Sequence, residues 1–341
     1  MPLLFLTLLL LASSPLSPQQ EFIYTNAPFP SAHASTIVEL KNGDLLSAWF
    51  GGSGEGNPDV AIWTSRRSSS SNSGGQWSPP TELVREPNIA CYNPVFFHSA
   101  DGKLWLYYKF GPHPSSWSAG RRFSTDEGET WSPVEHLPAG IYGPIRAKPL
   151  ILPNGVIVSG TSVESYQSWS AWIERSTDNA NTWTRIGPIP APSNPTATGT
   201  YGIIQPSVVR LQNGTLRLYA RSTSQTARIC VSDSTDAGLH WSAVHTLDLP
   251  NPNSGLDAVA LRDGRVVLIF NNTTKGRTPL NLAVSTDAEH FRIFQTLEAD
   301  PGEYSYPSMI QARNGDLCAT YTWNRKRIRF VRIPLAEIPA N

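Results

Sequence analysis

The sequence is poor in cysteine and in charge. Its three cysteines, Cys91, Cys230 and Cys318, are an odd number without short spacing, so they predict neither a disulfide framework nor a zinc site. Only 16% of the 341 residues are charged, with 27 Lys plus Arg against 27 Asp plus Glu, which excludes an overall field attracting nucleic acid or an anionic membrane. Neither a glycine-rich phosphate loop nor a metal-spaced His and Cys cluster occurs, so we expect no cofactor.

Long hydrophobic runs are also missing, apart from LLFLTLLLLA at residues 3–12. This run is too short to span a bilayer as a helix, and it is followed by the small and polar residues SSPLSPQQ. We therefore expect a secretory signal in residues 1–20, cleaved within residues 14–20, and one mature domain in residues 21–341. The protein would then be secreted or periplasmic.

The chain is rich in turn residues and tryptophan, with 25 Gly, 29 Pro and 11 Trp. One turn-forming segment, typified by STDEGETW, recurs with starting serines 51 to 58 residues apart. In this segment, the aspartate box, the Asp side chain bonds nearby backbone and the Trp covers the turn. The five copies are Ser70–Trp77, Ser124–Trp131, Ser176–Trp183, Ser234–Trp241 and Ser285–Phe291.

Asn-Gly and Asp-Gly pairs between apolar segments form a second series and predict six β-hairpins with type I′ turns. The pairs begin at Asn42, Asp101, Asn154, Asn213, Asp263 and Asn314. Six hairpins with a period near fifty indicate an all-β, six-bladed propeller. The segment FIYTNA, residues 22–27, is predicted to supply the missing strand of the last blade, and we expect a monomer.

Candidate site residues lie where inner strands begin and second strands end, a face that we call the mouth. Residues eight before the hairpin pairs form one ring there, with His33 beside its first member: Ala34, Asn93, Arg146, Gln205, Gly255 and Tyr306. Residues eight after the pairs form another, which includes Lys109 and Arg221. With Lys148, these cations predict a pocket for a carboxylate ligand, because guanidinium groups bind carboxylates in bidentate fashion.

The mouth loops add carboxylates and aromatic side chains that suit a carbohydrate ligand. The carboxylates are Glu55, Asp59, Glu164, Asp257 and Glu303, and the tryptophans are Trp117, Trp169 and Trp323. Each candidate also has a structural alternative. An arginine can belong to an ion-pair network, Gln205 and Asn93 can satisfy backbone groups, and Tyr306 can be a buried aromatic.

With its aspartate boxes and six hairpins, the chain resembles the sialidase (neuraminidase) superfamily of six-bladed propellers over nearly its whole length. The resemblance implies three arginines that hold the substrate carboxylate, a tyrosine nucleophile with a glutamate beside it, and an acid/base aspartate on the first-blade loop. By position it assigns the tyrosine to Tyr306, two arginines to Arg221 and Arg277, and the acid/base to Glu55 or Asp59 in SGEGNPD.

Two positions depart from the pattern of that superfamily. The first-blade arginine is replaced by His33, and the partner glutamate, sixteen residues before Arg221, is replaced by Gln205. Because free tyrosine has a pKa of about 10, only about one in a thousand is phenolate at neutral pH, and an amide cannot accept its proton. Either Glu303 or Asp257 accepts the tyrosine proton, or the reaction is not that of sialidases. His33 introduces a group that can transfer protons near pH 7.

Three functions follow. The leading one is an exported, exo-acting glycoside hydrolase of sialidase type that removes a terminal acidic sugar. In the second, His33 and Tyr306 serve a hydrolase or lyase acting on acidic plant or algal polysaccharide. The third is a glycan-binding propeller without catalysis, motivated by Gln205. In each case the partner is a carbohydrate.

Overall fold

The computed structural model describes residues 19–69, 75–191 and 201–340, and this part of the chain contains 24 β-strands and no α-helix. Residues 1–18 of the predicted signal segment and residues 70–74 of the first aspartate box lie outside the described residues. The first strand, β1, comprises Gln19–Phe22 and therefore begins inside the predicted cleavage region. The strands form six four-stranded antiparallel blades, with β1 as a member of the last, and a short parallel pairing at Ser168 and Trp169 joins blades three and four into one eight-stranded sheet.

The strands follow the chain in order from the inside to the outside of each blade. Blade one comprises β2 Ser31–Glu39, β3 Leu45–Gly52, β4 Ala61–Arg67 and β5 Thr81–Val84. Blade two comprises β6 Cys91–His98, β7 Leu104–Phe110, β8 Ser118–Ser124 and β9 Glu135–His136. Blade three comprises β10 Leu150–Ile151, β11 Ile157–Glu164, β12 Ser168–Ser176 and β13 Thr184–Ile186.

The second half of the chain repeats the arrangement. Blade four comprises β14 Tyr201–Arg210, β15 Leu216–Ser222, β16 Arg228–Ser234 and β17 His245–Pro250. Blade five comprises β18 Asp257–Ala260, β19 Val266–Phe270, β20 Leu280–Ser285 and β21 Arg292–Glu298. Blade six comprises β22 Tyr304–Gln311, β23 Leu317–Trp323, β24 Arg327–Ile333 and, outermost, β1.

The N-terminal strand closes blade six, as predicted, but with different residues. β1 pairs antiparallel with β24 from Gln19 opposite Arg332 to Phe22 opposite Arg329. Of the predicted segment 22–27, only Phe22 belongs to the strand, because the chain then leaves the edge and Tyr24 stacks on Trp49 with ring centroids 5.1 Å apart. Pairing the two ends of the chain gives the last blade its fourth strand and covers the edge of β24.

Apolar side chains fill the space between every pair of neighbouring blades among the described residues. Six buried clusters occur, and each contains residues of two adjacent blades. The cluster between blades six and one joins Phe330 and Cys318 to Ile37 and Trp49, so the ring of blades is closed by packing as well as by β1. All three cysteines are buried and unbridged, as small apolar side chains of these interfaces.

All six hairpins form at the predicted Asn-Gly and Asp-Gly pairs, but they are not type I′ turns. In the first, Gly43 N donates to Leu40 O (2.9 Å) and Leu40 N donates to Asp44 O (2.8 Å), and the other five repeat both bonds. Only the glycine has positive φ, which is +89° at Gly43. This is a type I turn followed by a left-handed residue, favoured because the Asn42 side chain accepts a bond from Asp44 N (3.0 Å).

The four fully described aspartate boxes join the third and fourth strands of blades two to five. In the first, the Asp126 carboxylate accepts bonds from Ser124 Oγ (2.7 Å) and Thr130 N (2.9 Å), and Trp131 Nε1 donates to Gly128 O (3.2 Å). The boxes and the hairpins lie together on the side opposite the mouth, which we call the far face. Local bonds of this kind fix the path of each turn, and a side chain of the preceding blade also bonds to it, as Tyr107 Oη does to Ala180 O (3.1 Å).

Candidate active site at the mouth of the propeller

Four inner strands carry the same irregularity at the mouth. In β2, β6, β14 and β22 the pairing register shifts, and one residue within the shift has positive φ. These residues are Ala34 (54°), Asn93 (41°), Gln205 (55°) and Tyr306 (51°). Bulges redirect side chains, and strained residues of this type concentrate at functional sites. The ring predicted by spacing therefore has a structural cause in the backbone.

Hydroxyl groups of the preceding blade hold two of these bulges. The amide of Ala34 donates to Thr322 Oγ1 (3.1 Å), and the amide of Gln205 donates to Ser162 Oγ (3.4 Å). Thr322 and Ser162 both belong to the second predicted ring, eight residues after their hairpin pairs. The two rings thus bond to each other across neighbouring blades, and this contact satisfies amides that the bulges remove from the strand ladder.

The Tyr306 hydroxyl lies at the centre of the site and receives two hydrogen bonds. Arg221 Nη1 donates to Tyr306 Oη at 2.6 Å, and Gln205 Nε2 donates to it at 3.3 Å. The other side-chain atom of Gln205, Oε1, accepts a bond from Arg221 Nη1 (3.3 Å), and Arg221 Nε donates to Asn253 Oδ1 (2.7 Å). Gln205 and Asn253 therefore orient Arg221 toward the tyrosine.

Positive charge surrounds the Tyr306 ring. Three guanidinium carbons lie close to its centroid: Arg146 at 5.3 Å, Arg277 at 5.4 Å and Arg221 at 5.8 Å. Burial raises the pKa of Tyr306, but the charges of Arg221 and Arg277 outweigh burial, and the pKa falls below its ordinary value of about 10. Positive charge thus stabilises the phenolate, although the position of the partner glutamate holds an amide.

His33 lies against Tyr306, with the two ring centroids 4.3 Å apart. Its Nδ1 is bonded to Thr322 Oγ1 (2.9 Å), and its side chain is buried. Burial lowers the pKa of His33 far below 6.5, and the charge of the nearby Arg325 lowers it further. These shifts run against the expectation that His33 transfers protons near pH 7, because burial and nearby positive charge favour the neutral imidazole.

A chain of charges forms the rim of the site. Arg277 Nη1 and Arg325 Nε both donate to Glu303 Oε1, each at 2.8 Å. Arg325 Nη1 also donates to Glu55 Oε2. The predicted residues Arg277, Glu303 and Glu55 are thus brought together, with Arg325 as the link between Glu303 and Glu55.

Arg325 was missed by sequence analysis. It lies with Asn324 at the tip between β23 and β24, where both residues have positive φ (50° and 52°). Its carbonyl accepts a bond from Ala32 N (2.9 Å), which brings it next to His33. A cation of blade six therefore stands beside the blade-one position that lacks an arginine, and the only signal in the sequence was an Asn-Arg pair between two strands.

The Asp59 carboxylate accepts hydrogen bonds from its own loop. Its Oδ2 accepts a bond from Ser53 N (2.8 Å), and its Oδ1 accepts one from Ser53 Oγ (2.7 Å). These bonds lower the pKa of Asp59, so it is ionised at neutral pH. Within the described residues, no carboxylate oxygen hydrogen-bonds to Tyr306 Oη.

Asp257 and Lys148, both predicted to bind substrate, form contacts between neighbouring blades. Asp257 is completely buried and accepts bonds from Ser207 Oγ (2.7 Å), Met309 N (2.8 Å) and Lys148 Nζ (2.9 Å). It thereby joins the inner strands of blades four, five and six. The prediction that Asp257 and Lys148 bind substrate, and that Asp257 could accept the tyrosine proton, is not supported, because their charged groups bond to each other.

Two further cations, Lys109 and Arg146, and one amide, Asn93, lie beneath the mouth. Lys109 is completely buried and donates to Pro144 O (2.8 Å), and burial lowers the pKa of Lys109 to about 7, so it does not form part of the open pocket. Arg146 donates through Nη1 to Leu256 O (2.8 Å). Arg146 Nε and Asn93 Nδ2 are buried and have no hydrogen-bond partner among the described residues.

Of the three predicted tryptophans, Trp169 lies at the site, with its ring 5.5 Å from Arg221 Cζ. Trp117 packs on Tyr92, with ring centroids 5.1 Å apart. Trp323 packs edge-on against Phe22 of β1 (5.3 Å), so it supports blade closure instead of facing a ligand. Only Trp169 is therefore well placed to contact a sugar.

The described residues contain no group of three or more His, Cys, Asp or Glu side chains able to hold a metal ion. In the same part of the chain, no helix has the length and apolar character needed to cross a membrane.

The fold defines a class, the six-bladed β-propellers with aspartate boxes. The profile of the BNR repeat-like domain family matches residues 43–318, so the chain belongs to this family. No curated protein matches the chain. Solved structures similar to it include a protein of unknown function from Dyadobacter fermentans, with TM-score 0.75 and 18% identity over 92% of this chain and 98% of that one.

Two sialidase structures also match. A mutant of the NanB sialidase from Streptococcus pneumoniae has TM-score 0.73 and 15% identity over 96% of this chain and 72% of its own. The intramolecular trans-sialidase from Ruminococcus gnavus has TM-score 0.72 and 13% identity over 94% of this chain and 98% of its own. At these identities the likeness establishes the fold, and the function has to be argued from the residues at the mouth.

Proposed function

We propose that this protein is an exported, exo-acting glycoside hydrolase of sialidase type, which removes a terminal acidic sugar from glycans. The observation that carries the proposal is the 2.6 Å bond from Arg221 to the Tyr306 hydroxyl, within a group of guanidinium groups that lowers the pKa of Tyr306. A tyrosine stabilised as phenolate at a cationic mouth is equipped to attack the anomeric carbon of an anionic sugar.

The arginines supply the binding of the substrate carboxylate. A guanidinium has five N–H donors, and Arg221, Arg277 and Arg325 use only some of theirs in the bonds described above. Glu303 fixes Arg277 and Arg325 through one shared oxygen and so orients both before a ligand arrives. A carboxylate that binds there would hold the sugar against the Tyr306 ring.

In the first step Tyr306 Oη forms a bond to the anomeric carbon as the bond to the leaving oxygen breaks, and a proton is delivered to that oxygen. In the second step water attacks the same carbon, loses a proton, and releases Tyr306 as phenolate. His33, neutral and weakly basic, packs on the nucleophile, and its low pKa argues against a His33-dependent lyase.

The test is incubation with a fluorogenic α-sialoside and with glycans ending in other nonulosonic or uronic acids, comparing the unsubstituted protein with Tyr306→Phe. We expect release by the unsubstituted protein and a loss of at least about 100-fold in Tyr306→Phe, because the nucleophile is removed. Mass spectrometry of protein treated with a fluorinated sugar that traps the intermediate should locate the adduct on Tyr306. Failure to release any of these sugars contradicts the proposal.

One observation favours a second function, a glycan-binding propeller without turnover. Gln205 donates to Tyr306 and cannot take its proton, and within the described residues no carboxylate hydrogen-bonds to that hydroxyl. Binding to acidic glycans on an array, retained in Tyr306→Phe and accompanied by no product, would support this alternative.

A further inference from the structure

The proposed hydrolase needs a proton donor for the leaving oxygen, and the two carboxylates of the first-blade loop are already engaged. Both oxygens of Asp59 accept bonds from Ser53, and the pKa of Asp59 is lowered. Glu55 forms an ion pair with Arg325. A carboxylate held in its charged form by hydrogen bonds, as Asp59 is, is a poor acid at neutral pH.

Another carboxylate, Glu164, lies on the opposite side of the mouth at the end of β11. It pairs with Trp169 across β11 and β12, and the Trp169 ring lies 5.5 Å from Arg221 Cζ. Two residues earlier on the same strand, Ser162 Oγ accepts the bond from Gln205 N. Successive side chains alternate along a strand, so Ser162 and Glu164 lie on the same side of β11.

The Glu164 side chain lies on the side of β11 that faces blade four, because it shares that side with Ser162, which bonds Gln205. The charge of Glu164 also acts on groups of four other blades: Glu55, His113, Arg221 and Tyr306.

The surroundings of Glu164 suit an acid. Its carboxylate accepts no hydrogen bond within the described residues, unlike Asp59 and Glu303. Burial raises the pKa of Glu164; the charges of Arg221 and His113 oppose this effect, and that of Glu55 adds to it. A half-buried carboxyl group with a raised pKa, close to but not bonded to the nucleophile, is the environment of a general acid.

We propose that Glu164 is the general acid and base of this site, in place of the first-blade aspartate. The assignment rests on the proposed hydrolase function. When Tyr306 Oη bonds to the anomeric carbon and the glycosidic C–O bond breaks, Glu164 transfers its carboxyl proton to the departing oxygen. When water attacks the intermediate, the Glu164 carboxylate takes a proton from that water, and Tyr306 leaves as phenolate.

The experiment compares two substrates with the same acidic sugar, one with a methylumbelliferyl leaving group and one linked to a second sugar. A phenol leaves without protonation, whereas a sugar hydroxyl does not. In Glu164→Gln we expect kcat/KM for the sugar-linked substrate to fall by about 100-fold or more, and the first, bond-breaking step on the aryl substrate to change little. Single-turnover burst measurements isolate that step.

Matched variants Asp59→Asn and Glu55→Gln provide the comparison, because they remove the other two candidate acids. They should affect both substrates to the same degree. The alkaline limb of the pH profile for the sugar-linked substrate should disappear in Glu164→Gln, since the group that loses its proton is gone. Infrared spectroscopy during a pH titration should show a carboxyl band that stays protonated to higher pH than an ordinary glutamate in the unsubstituted protein and is missing in this variant.

The outcomes separate the two proposals. Equal losses on both substrates in Glu164→Gln, or dependence on the leaving group in Asp59→Asn instead, overturns the assignment of Glu164 and leaves the hydrolase in place. No turnover by the unsubstituted protein overturns both. Thermal unfolding of each variant checks that it is folded, and Glu164→Asp should recover part of the lost activity.

Discussion

On the far face every hairpin closes with the same two backbone bonds and each described box repeats the same Asp-centred turn, whereas at the mouth no two blades present the same side chain. The ring at the mouth reads Ala34, Asn93, Arg146, Gln205, Gly255 and Tyr306. The far-face turns repeat the same internal bonds, and neighbouring blades add similar contacts to them, such as Tyr107 Oη to Ala180 O and Tyr219 Oη to Ala288 O. At the mouth the bonds between blades differ from one blade to the next, and Arg146 Nε has no partner among the described residues.

The difference shows how one repeat can serve two purposes. A turn that bonds to itself folds in the same way in each blade, so it can be copied without change. A bulge that needs a hydroxyl from the preceding blade fixes a side chain at the mouth. Strain and crowded charge are tolerated there because the closed ring supports them.

The largest expected effect is a loss of activity, and it distinguishes two arginines on one strand, β15. Arg221, at the mouth, bonds Tyr306, and Arg217, near the far face, forms a bidentate pair with Asp233 at 2.7 Å. Arg221→Met should lower kcat/KM by roughly 100-fold or more while changing the midpoint of thermal unfolding little. Arg217→Met should leave kcat/KM unchanged and lower the free energy of unfolding by about 1.5–3 kcal/mol.

Steady-state kinetics and denaturant unfolding of the two variants provide the measurement. The comparison breaks down if Arg221→Met loses as much stability as Arg217→Met, or if Arg217→Met loses activity.

An intermediate effect is expected from Gln205→Glu, which supplies the carboxylate that the mouth lacks. In the unsubstituted protein kcat/KM should fall as the pH drops below the pKa of Tyr306, because the phenolate is lost. A carboxylate at this position accepts the hydroxyl proton, so activity should persist to lower pH. At pH 5 we expect the variant to exceed the unsubstituted protein by about tenfold, measured as kcat/KM.

Adding Tyr306→Phe to Gln205→Glu is the control and should abolish the gain. A pH profile that Gln205→Glu leaves unchanged would show that deprotonation of Tyr306 does not limit the rate.

The smallest expected effect is on stability, and it concerns one turn of the far face, the aspartate box of blade two. The bonds from Thr130 and Ser124 lower the pKa of Asp126 to about 2, below the value of about 3.9 in an unfolded chain. The folded protein therefore binds fewer protons at Asp126 than the unfolded one, and this stability is present above about pH 4 and lost as the pH falls toward 2.

Asp126→Asn should thus lower the unfolding midpoint slightly at pH 7 and make it less dependent on pH in the acid range, with no change in kcat/KM. Asp300→Asn, which changes an exposed carboxylate, serves as the control in scanning calorimetry. Equal acid profiles for Asp126→Asn and the unsubstituted protein would contradict the prediction.

The sequence by itself determined the number of blades, the position of each hairpin and box, and the ring that contains Gln205 and Tyr306, because these depend on local turn chemistry repeated at a fixed period. It did not determine the turn type, since an Asn-Gly pair is compatible with more than one backbone path. Nor did it determine the residues of β1, since an edge strand is selected by its partner.

Only the tertiary structure decided which of the candidate charges serve the site. Asp257 and Lys148 pair with each other, Asp59 bonds to Ser53, and Arg325 reaches Glu55 from the opposite end of the chain. These partners lie up to 270 residues apart. The protonation of Tyr306 and His33 is set by the charges and burial around them, and residues that are distant in sequence meet only when the ring closes.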